Sequence, residues 1–375
     1  MVDAPYSSTR NSFTLLRFVM AALVILCHSY TLLGRTTPLS TLTGGAMNEG
    51  TLAVDAFLTI SGFLVISAAA RGRNAFGFLL RRVLRLLPAL LCALLFSAYI
   101  VGGLAYRGTF ADYVRLPDNG PGAWVVNWLT LNIRPEQWGV TGVFDGNVTS
   151  SLNVSLWTLK FEVALYVLIA VMMLTTLYRR RWAYTVFFAA FLILRLLLTG
   201  FGVRLWDVYD TRFWILSHWN YDRLTETFTF FFAGTLLYAF RREVPRRWYL
   251  ALIALMTLLL TYILRTALPG PAAALPWRLA WCIAFPYLIV YLGGSPLCAG
   301  FARLGDLSLG MYVYSYPIQQ LLYHAWPQLE PMAHFALTLL IVLPLSTISW
   351  RSIEAPALKL KQLNWRELQH KRAKA

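Results

Sequence analysis

The chain has 375 residues, 58% of them hydrophobic and only 13% charged, with a mean hydropathy of +0.56 and a formal net charge of +16. Soluble domains carry about 25% charged residues, so this composition excludes an ordinary water-soluble fold and predicts an all-α, polytopic membrane helix bundle. The positive balance does not point to nucleic acid, because the cations sit at the ends of apolar runs, where membrane topology places them.

Ten spans are predicted, over residues 13–33, 52–70, 83–104, 154–177, 183–200, 224–240, 248–266, 277–293, 306–323 and 333–353. An even number puts both termini on one side. With that side cytoplasmic, the inner segments (Arg71 to Arg85, Arg179–Arg181, Arg241 to Arg247 and the tail from Arg351) hold more than twice as many Lys and Arg as the outer ones, as the positive-inside rule requires. Most of the tryptophans flank span ends, as an interfacial belt would. Residues 1–358 read as one transmembrane domain and 359–375 as a basic cytoplasmic tail, with no fused soluble domain. The first span has too long an apolar run for a cleaved leader.

That first span, Phe13 to Leu33, carries Arg17 and His28. Ionisable groups inside a span are expensive and normally face a protein interior. Eleven positions at 100° each leave both on one helix face, about 16 Å apart along the axis. Asp55, in VDAFLTISGFLV, and Glu162, in SLWTLKFEVALYV, fall near the outer face as His28 does, at offsets of about 5, 12 and 7 Å respectively. An imidazole with two carboxylates could take a proton from an alcohol, one carboxylate fixing the ring through its other nitrogen. A structural polar cluster tying helices together is the competing reading, and Asp55 could simply be a helix N-cap.

At the inner face, RNAFGFLLRRVLRLLP packs Arg81, Arg82 and Arg85 just before the third span, with Arg82 and Arg85 sharing a face. Arginine forks suit phosphate and pyrophosphate. Arg71 and Arg73 read as topology signals and lipid headgroup contacts, and Arg195 as a snorkelling or paired cation. The longest connection, about Ala105 to Asn153, contains PDNGPG and VFDGN and reads as an outer lid or acceptor-binding loop. Its two N-x-S/T triplets, at Asn147 and Asn153, read as chance. The ninth span, LGDLSLGMYVYSYPIQQLLYH, contains Asp306, Ser308 and Pro317; a proline there frees a backbone carbonyl and marks a bent, cavity-lining helix. Glu354 ends the last span, within reach of Arg351 at i, i+3. The four cysteines, Cys27, Cys92, Cys282 and Cys298, show no metal-ligand spacing and read as small buried hydrophobes; no metal and no tightly bound cofactor is expected.

Together these elements resemble the acyltransferase 3 family of bacterial integral membrane O-acyltransferases. The first helix is similar to its LRxxAAxxVxxxH pattern through Leu16, Arg17, Ala21, Ala22, Val24 and His28. The second follows VDxFFxxSGFLI through Val54, Asp55, Phe57, Ser61, Gly62, Phe63 and Leu64. Arg82, Arg85 and Pro88 match RxxR before a proline; Trp157, Thr158, Leu159, Glu162 and Tyr166 match WSLxxExxxY; Gly305, Ser308, Tyr312, Glu354 and Pro356 match GxxSxxxY and ExP. Two departures stand out: Thr158 replaces the usual Ser, and Ser315 occupies the position of a second His found in many members. The resemblance implies transfer of an acetyl or other acyl group from cytoplasmic acyl-CoA, acetyl-CoA as donor substrate, to a hydroxyl of an envelope carbohydrate: exopolysaccharide, O-antigen or lipid-linked sugar. His28 would be central, with Glu162 and Asp55 as catalytic partners. Arg17, Arg82 and Arg85 would serve the donor, and Trp157, Tyr166, Ser308, Tyr312 and Glu354 would support the site. The bacterial inner membrane, with both termini cytoplasmic, would be the location. A proton-coupled transporter or exporter using His28, Asp55 and Glu162 as a relay is the alternative, and a partner of polysaccharide assembly machinery a third reading.

Overall fold

A computed structural model describes residues 11–72, 74–131, 138–200, 221–268 and 274–359. The described residues form helices and turns without a strand. Among the described residues ten helices run 17 residues or longer: α1 (Phe13–Thr31), α2 (Glu49–Arg71), α3 (Ala75–Ala105, with a π-turn at Phe96–Val101), α4 (Thr158–Leu174), α5 (Arg181–Gly200), α6 (Tyr221–Ala239), α7 (Trp248–Ala267), α8 (Ala274–Gly293), α9 (Ser308–Ala325) and α10 (Pro331–Ser349). Eight of these elements are long and apolar enough to cross a membrane. The other two, α6 and α9, carry polar groups that the fold buries: Glu226 and four threonines in α6, Ser315, Gln319 and Gln320 in α9. This is an all-α, multi-pass membrane bundle.

The sequence places the third span from residue 83, after its arginines; the helix begins at Ala75, so Arg81, Arg82 and Arg85 lie within it. Arginine is a good helix former, and its long stem lets the charge reach out of an apolar face, so the charges do not stop the helix.

The chain divides into two units. The first comprises residues up to Val24, Thr37–Ala75 and Leu159–Leu304. Its core is the pair α2 and α6, which approach until backbone meets backbone. A Cβ on Gly62 would overlap the Phe231 carbonyl, and one on Gly234 the Thr59 carbonyl. Small residues give membrane helices this kind of contact, because packing replaces the hydrophobic effect there. Helix α5 joins through rings, with Phe187 stacked on Phe232 at 4.9 Å and 9°. Here Arg195 forms an ion pair with Glu226 at 2.7 Å, both nearly buried, and Arg223 adds a second contact to the same carboxylate at 3.1 Å. Arg195 is thus paired rather than snorkelling. Helix α7 packs on α8 and buries only Ala254 and Leu258, leaving Leu252, Ile253, Met256, Leu260 and Ile263 outward, an apolar stripe suited to lipid. The start of α1 is fixed by Ser12, whose amide donates to the Gly293 carbonyl at 2.8 Å and whose hydroxyl donates to the Ser295 carbonyl at 2.7 Å.

The second unit comprises Ile25–Thr36, Phe76–Thr158 and the chain from Gly305 onward; the tail beyond 359 lies outside the described residues. Helices α9 and α10 form its centre. Gly310 lets Ser346 come close, and Gly305, at φ 89°, turns the chain beneath the Trp350 indole. The described parts of the connection, 106–131 and 138–157, are packed rather than loose. They contain short helices at Phe110–Val114 and Pro121–Leu129, and they bury Tyr113, Trp124, Trp128 and Phe144 completely. Gln320 of α9 stitches the second of them down, donating to the Thr149 and Ser151 carbonyls at 2.8 Å each and accepting from Asn147 at 2.8 Å.

Candidate active site

Pro317 lies inside α9. A proline has no N–H, so the carbonyl four residues earlier, that of Val313, loses its helical donor. The side chain of Asn153 takes that place, Nδ2 donating to the Val313 oxygen at 2.8 Å, and Asn153 is fully buried. The two N-x-S/T asparagines are therefore structural: Asn147 bonds Gln320, and Asn153 completes the proline-broken helix.

Helix α9 also holds the second half of α1. Gln319, fully buried, donates from Nε2 to the Ile25 carbonyl and to the Ser29 hydroxyl, both at 2.8 Å. Gln319 is itself tied from α10, because its carbonyl accepts from His334 Nε2 at 3.0 Å. His28 lies one residue before Ser29, and its ring meets that of Tyr316 edge-on, centroids 5.0 Å apart at 87°. Its Nδ1 is buried and has no hydrogen-bond partner among the described residues. The expected carboxylate on that nitrogen is therefore not found; an aromatic edge and a helix clamp orient the ring instead. Ser315 is buried and aims its hydroxyl at the Tyr312 carbonyl, at 3.5 Å.

Other motif residues meet in this second unit. Thr158 and Tyr312 share a hydrogen bond of 3.0 Å between their hydroxyls. Ser308 donates to Asp306 at 2.6 Å, and Arg85 pairs with the other oxygen of Asp306 at 2.8 Å. The guanidinium of Arg82 lies over the Phe78 ring, 5.4 Å from its centroid. Glu354, nearly buried, accepts from Ser349 at 3.0 Å, and Tyr314 points its hydroxyl at Ser349 in turn.

In the first unit, Asp55 is buried two turns into α2 and accepts from the Trp281 indole at 2.8 Å. Asn48 caps that helix, its side chain accepting from the Thr51 amide at 2.8 Å, so the N-cap reading of Asp55 is excluded. Trp281 is held flat against Phe285, with centroids 4.1 Å apart at 14°. Glu162 accepts from Tyr166, one turn on. Arg17 is half-buried on the first half of α1. The three groups expected to cluster thus have three separate aromatic neighbours: Tyr316 for His28, Trp281 for Asp55 and Tyr166 for Glu162. The partners of His28 and Asp55 were not predicted, since 226 positions separate Asp55 from Trp281 and no local pattern links them.

The fold is that of an integral membrane protein with an imidazole, His28, and two carboxylates, Asp55 and Glu162, inside its spans. The model of the Acyltransferase domain family matches residues 10–351. The chain belongs to this family and is an acyltransferase. It is similar to an O-acetyl transferase of Shigella phage Sf6, 24% identical over 348 residues, covering 92% of this chain and 95% of that protein. It is also similar to nodulation protein 10 of Rhizobium leguminosarum bv. viciae, 26% identical over 384 residues and 95% of both chains. No solved structure matches it.

Proposed function

We propose that the protein is an O-acetyltransferase of the bacterial inner membrane, with cytoplasmic termini, moving an acetyl group from cytoplasmic acyl-CoA to a hydroxyl of an envelope carbohydrate. The observation that carries this reading is His28, an imidazole inside a span, set edge-on to Tyr316 on a helix segment pinned by Gln319. Imidazole changes charge near neutral pH and suits both halves of such a reaction. As the acceptor oxygen attacks the thioester carbonyl, His28 takes the hydroxyl proton; as the C–S bond breaks, it returns that proton to the leaving thiolate. General acid–base help of this kind is worth about 10²–10⁴ in rate.

Asp55 and Glu162 set the field and orientation around the acceptor through Trp281 and Tyr166. Arg17, Arg82 and Arg85 carry positive charge for the donor's phosphates, Arg85 being held in position by Asp306. Trp157, Thr158, Ser308, Tyr312 and Glu354 support these groups. The name of the phage relative favours acetyl as the group moved.

The test is mass spectrometry of envelope polysaccharides from cells expressing wild type or His28→Ala at matched membrane levels. An acetyl increment present with wild type and absent with the variant supports the reading. An equal increment with both removes His28 from the chemistry. Purified protein that consumes no acyl-CoA with any envelope glycan overturns the reading.

A further inference from the structure

One end of the first unit gathers charged groups from four helices inside the bundle. Asp55 lies two turns into α2, Glu226 in the second turn of α6, Arg278 in the second turn of α8, and Arg195 in the second half of α5. The Cys282 thiol, buried on α8, is within electrostatic reach of all four. The groups are unequally matched. Both oxygens of Glu226 are taken, one by Arg195 at 2.7 Å and one by Arg223 at 3.1 Å. Asp55 uses one oxygen, accepting from the Trp281 indole at 2.8 Å, and its Oδ1 is buried with no hydrogen-bond partner among the described residues. Arg278 is half-buried, and its Nε is likewise buried without a partner among the described residues. A row of rings runs beside them: Tyr262 edge-on to Trp277 at 5.7 Å, and Trp277 against Trp281 at 5.4 Å.

A salt-bridge network that only tied helices together would match its charges, because an unmatched ionic group inside a membrane protein is costly. Here a buried donor and a buried acceptor on neighbouring helices are both left over, and orphans of this kind mark a place where something binds. Nor does topology account for Arg278. With the termini cytoplasmic, this is the outward end of the unit, where arginines are disfavoured. The leftover groups define what fits between them. Asp55 Oδ1 accepts a hydrogen bond, which a sugar hydroxyl donates. A hydroxyl against Arg278 would satisfy its N–H and leave its charge unmatched, whereas a carboxylate satisfies both and matches the planar guanidinium. A few placed polar groups among aromatic rings is also the usual composition of a small-ligand site.

We propose that this end of the first unit is the acceptor subsite and that the acceptor is an acidic carbohydrate, its carboxylate seated on Arg278 and a nearby hydroxyl donating to Asp55. The proposal rests on acyl transfer to an envelope carbohydrate and adds the class of that carbohydrate. Arg278 is its specificity residue.

The test is acyl-CoA consumption by the full-length protein in nanodiscs, with oligosaccharides containing glucuronate or galacturonate as acceptors and the same oligosaccharides after chemical reduction of their carboxyl groups. Wild type is expected to show a KM for an acidic acceptor about tenfold or more below that for its reduced form, the worth of one charge-assisted contact. Arg278→Gln should raise the acidic KM by about that factor and leave the reduced acceptor's KM and kcat near wild type; a merely structural role would move both acceptors alike. Arg278→Lys keeps the charge without the fork and should retain part of the preference. Arg303→Gln, at an exposed arginine on the turn before α9, should keep all of it. If Arg278→Gln does not fold, Arg278→Lys and the wild-type comparison of paired acceptors still decide.

Equal KM values for acidic and reduced acceptors in wild type overturn the acidic class and leave acyl transfer standing. An undiminished preference in Arg278→Gln removes Arg278 from the subsite and overturns the proposal. Turnover with neutral envelope glycans alone also overturns it, and turnover with no envelope glycan overturns the acyl-transfer reading together with it.

Discussion

His28 and Tyr316 meet ring edge to ring face at 5.0 Å and 87°, and this contact replaces the carboxylate that a conventional imidazole base would lean on. The geometry separates two properties of Tyr316, its ring and its hydroxyl. Tyr316→Phe keeps the ring, so turnover is expected to stay within about threefold of wild type. Tyr316→Ala frees the imidazole to rotate, and misplacing a catalytic group by about 1 Å can cost about 10² in rate, so kcat should fall by about that factor. His28→Gln should fall further, by about 10²–10⁴. Initial rates of acyl-CoA consumption measure all three; a Tyr316→Ala enzyme at full speed would show that the ring contact does not orient His28.

Gln319 bonds α1 twice, at Ile25 and Ser29, three residues before His28 and one residue after it. Interhelical hydrogen bonds in membranes are worth about 0.6–2 kcal/mol. Gln319→Leu is therefore expected to lower thermal stability by a few degrees and kcat by about tenfold, with KM for the donor little changed. Scanning fluorimetry and steady-state kinetics check this. The Ser29→Ala protein removes one of the two bonds and should show an intermediate effect.

Asn153 closes the gap that Pro317 opens at the Val313 carbonyl. Asn153→Leu leaves that carbonyl buried without its donor, a loss of about 1–3 kcal/mol. Restoring the helix with Pro317→Ala supplies an N–H at position 317 and should recover much of the stability of Asn153→Leu. A double mutant no more stable than Asn153→Leu alone would sink this pairing.

The spans were legible in the sequence because apolar runs of bilayer length carry their own signal, and the ends fell within a few residues for most. Helix α3 was the exception: its three arginines read as a boundary, although an arginine-bearing face can continue a helix. The proline in α9 announced a freed carbonyl, yet only the fold identified Asn153 as its donor, since 160 positions separate Asn153 from Val313. Similarly, Arg71 and Arg179 each look like topology signals in isolation. Only the fold brings them to one open cleft, with Arg181 and Arg241. Polar groups inside the spans marked where chemistry could sit, but their partners, Trp281 and Tyr316, are rings that look like ordinary apolar residues in the chain.

Arg85 and Asp306 form an ion pair at 2.8 Å, the arginine about one-third exposed. If Arg85 serves the donor's phosphates and Asp306 only holds it, the two substitutions part company. Arg85→Gln should raise the donor KM about tenfold or more by losing a charge-assisted contact. Asp306→Asn leaves the guanidinium present but less fixed, so its KM should rise only a few-fold. In the double mutant, KM should match that of Arg85→Gln, because Asp306 then has nothing to position. Equal effects of both single changes, cancelling in the double mutant, would mean that the pair is structural.

Asp55 accepts the Trp281 N–H at 2.8 Å while its other oxygen, also buried, has no hydrogen-bond partner among the described residues. A carboxylate and a carboxamide can both accept that bond, but only the carboxylate brings charge. Asp55→Asn should therefore keep the melting temperature within a few degrees of wild type, and Asp55→Leu, which strands the indole, should cost about 1–3 kcal/mol. Activity divides them differently. If the charge of Asp55 is part of the catalytic field, Asp55→Asn loses at least about tenfold in kcat despite its intact fold. Trp281→Phe, which preserves the packing against Phe285 but removes the donor, should then retain most activity. Full activity in Asp55→Asn would make Asp55 a hydrogen-bonding anchor for α8 and remove its charge from the mechanism.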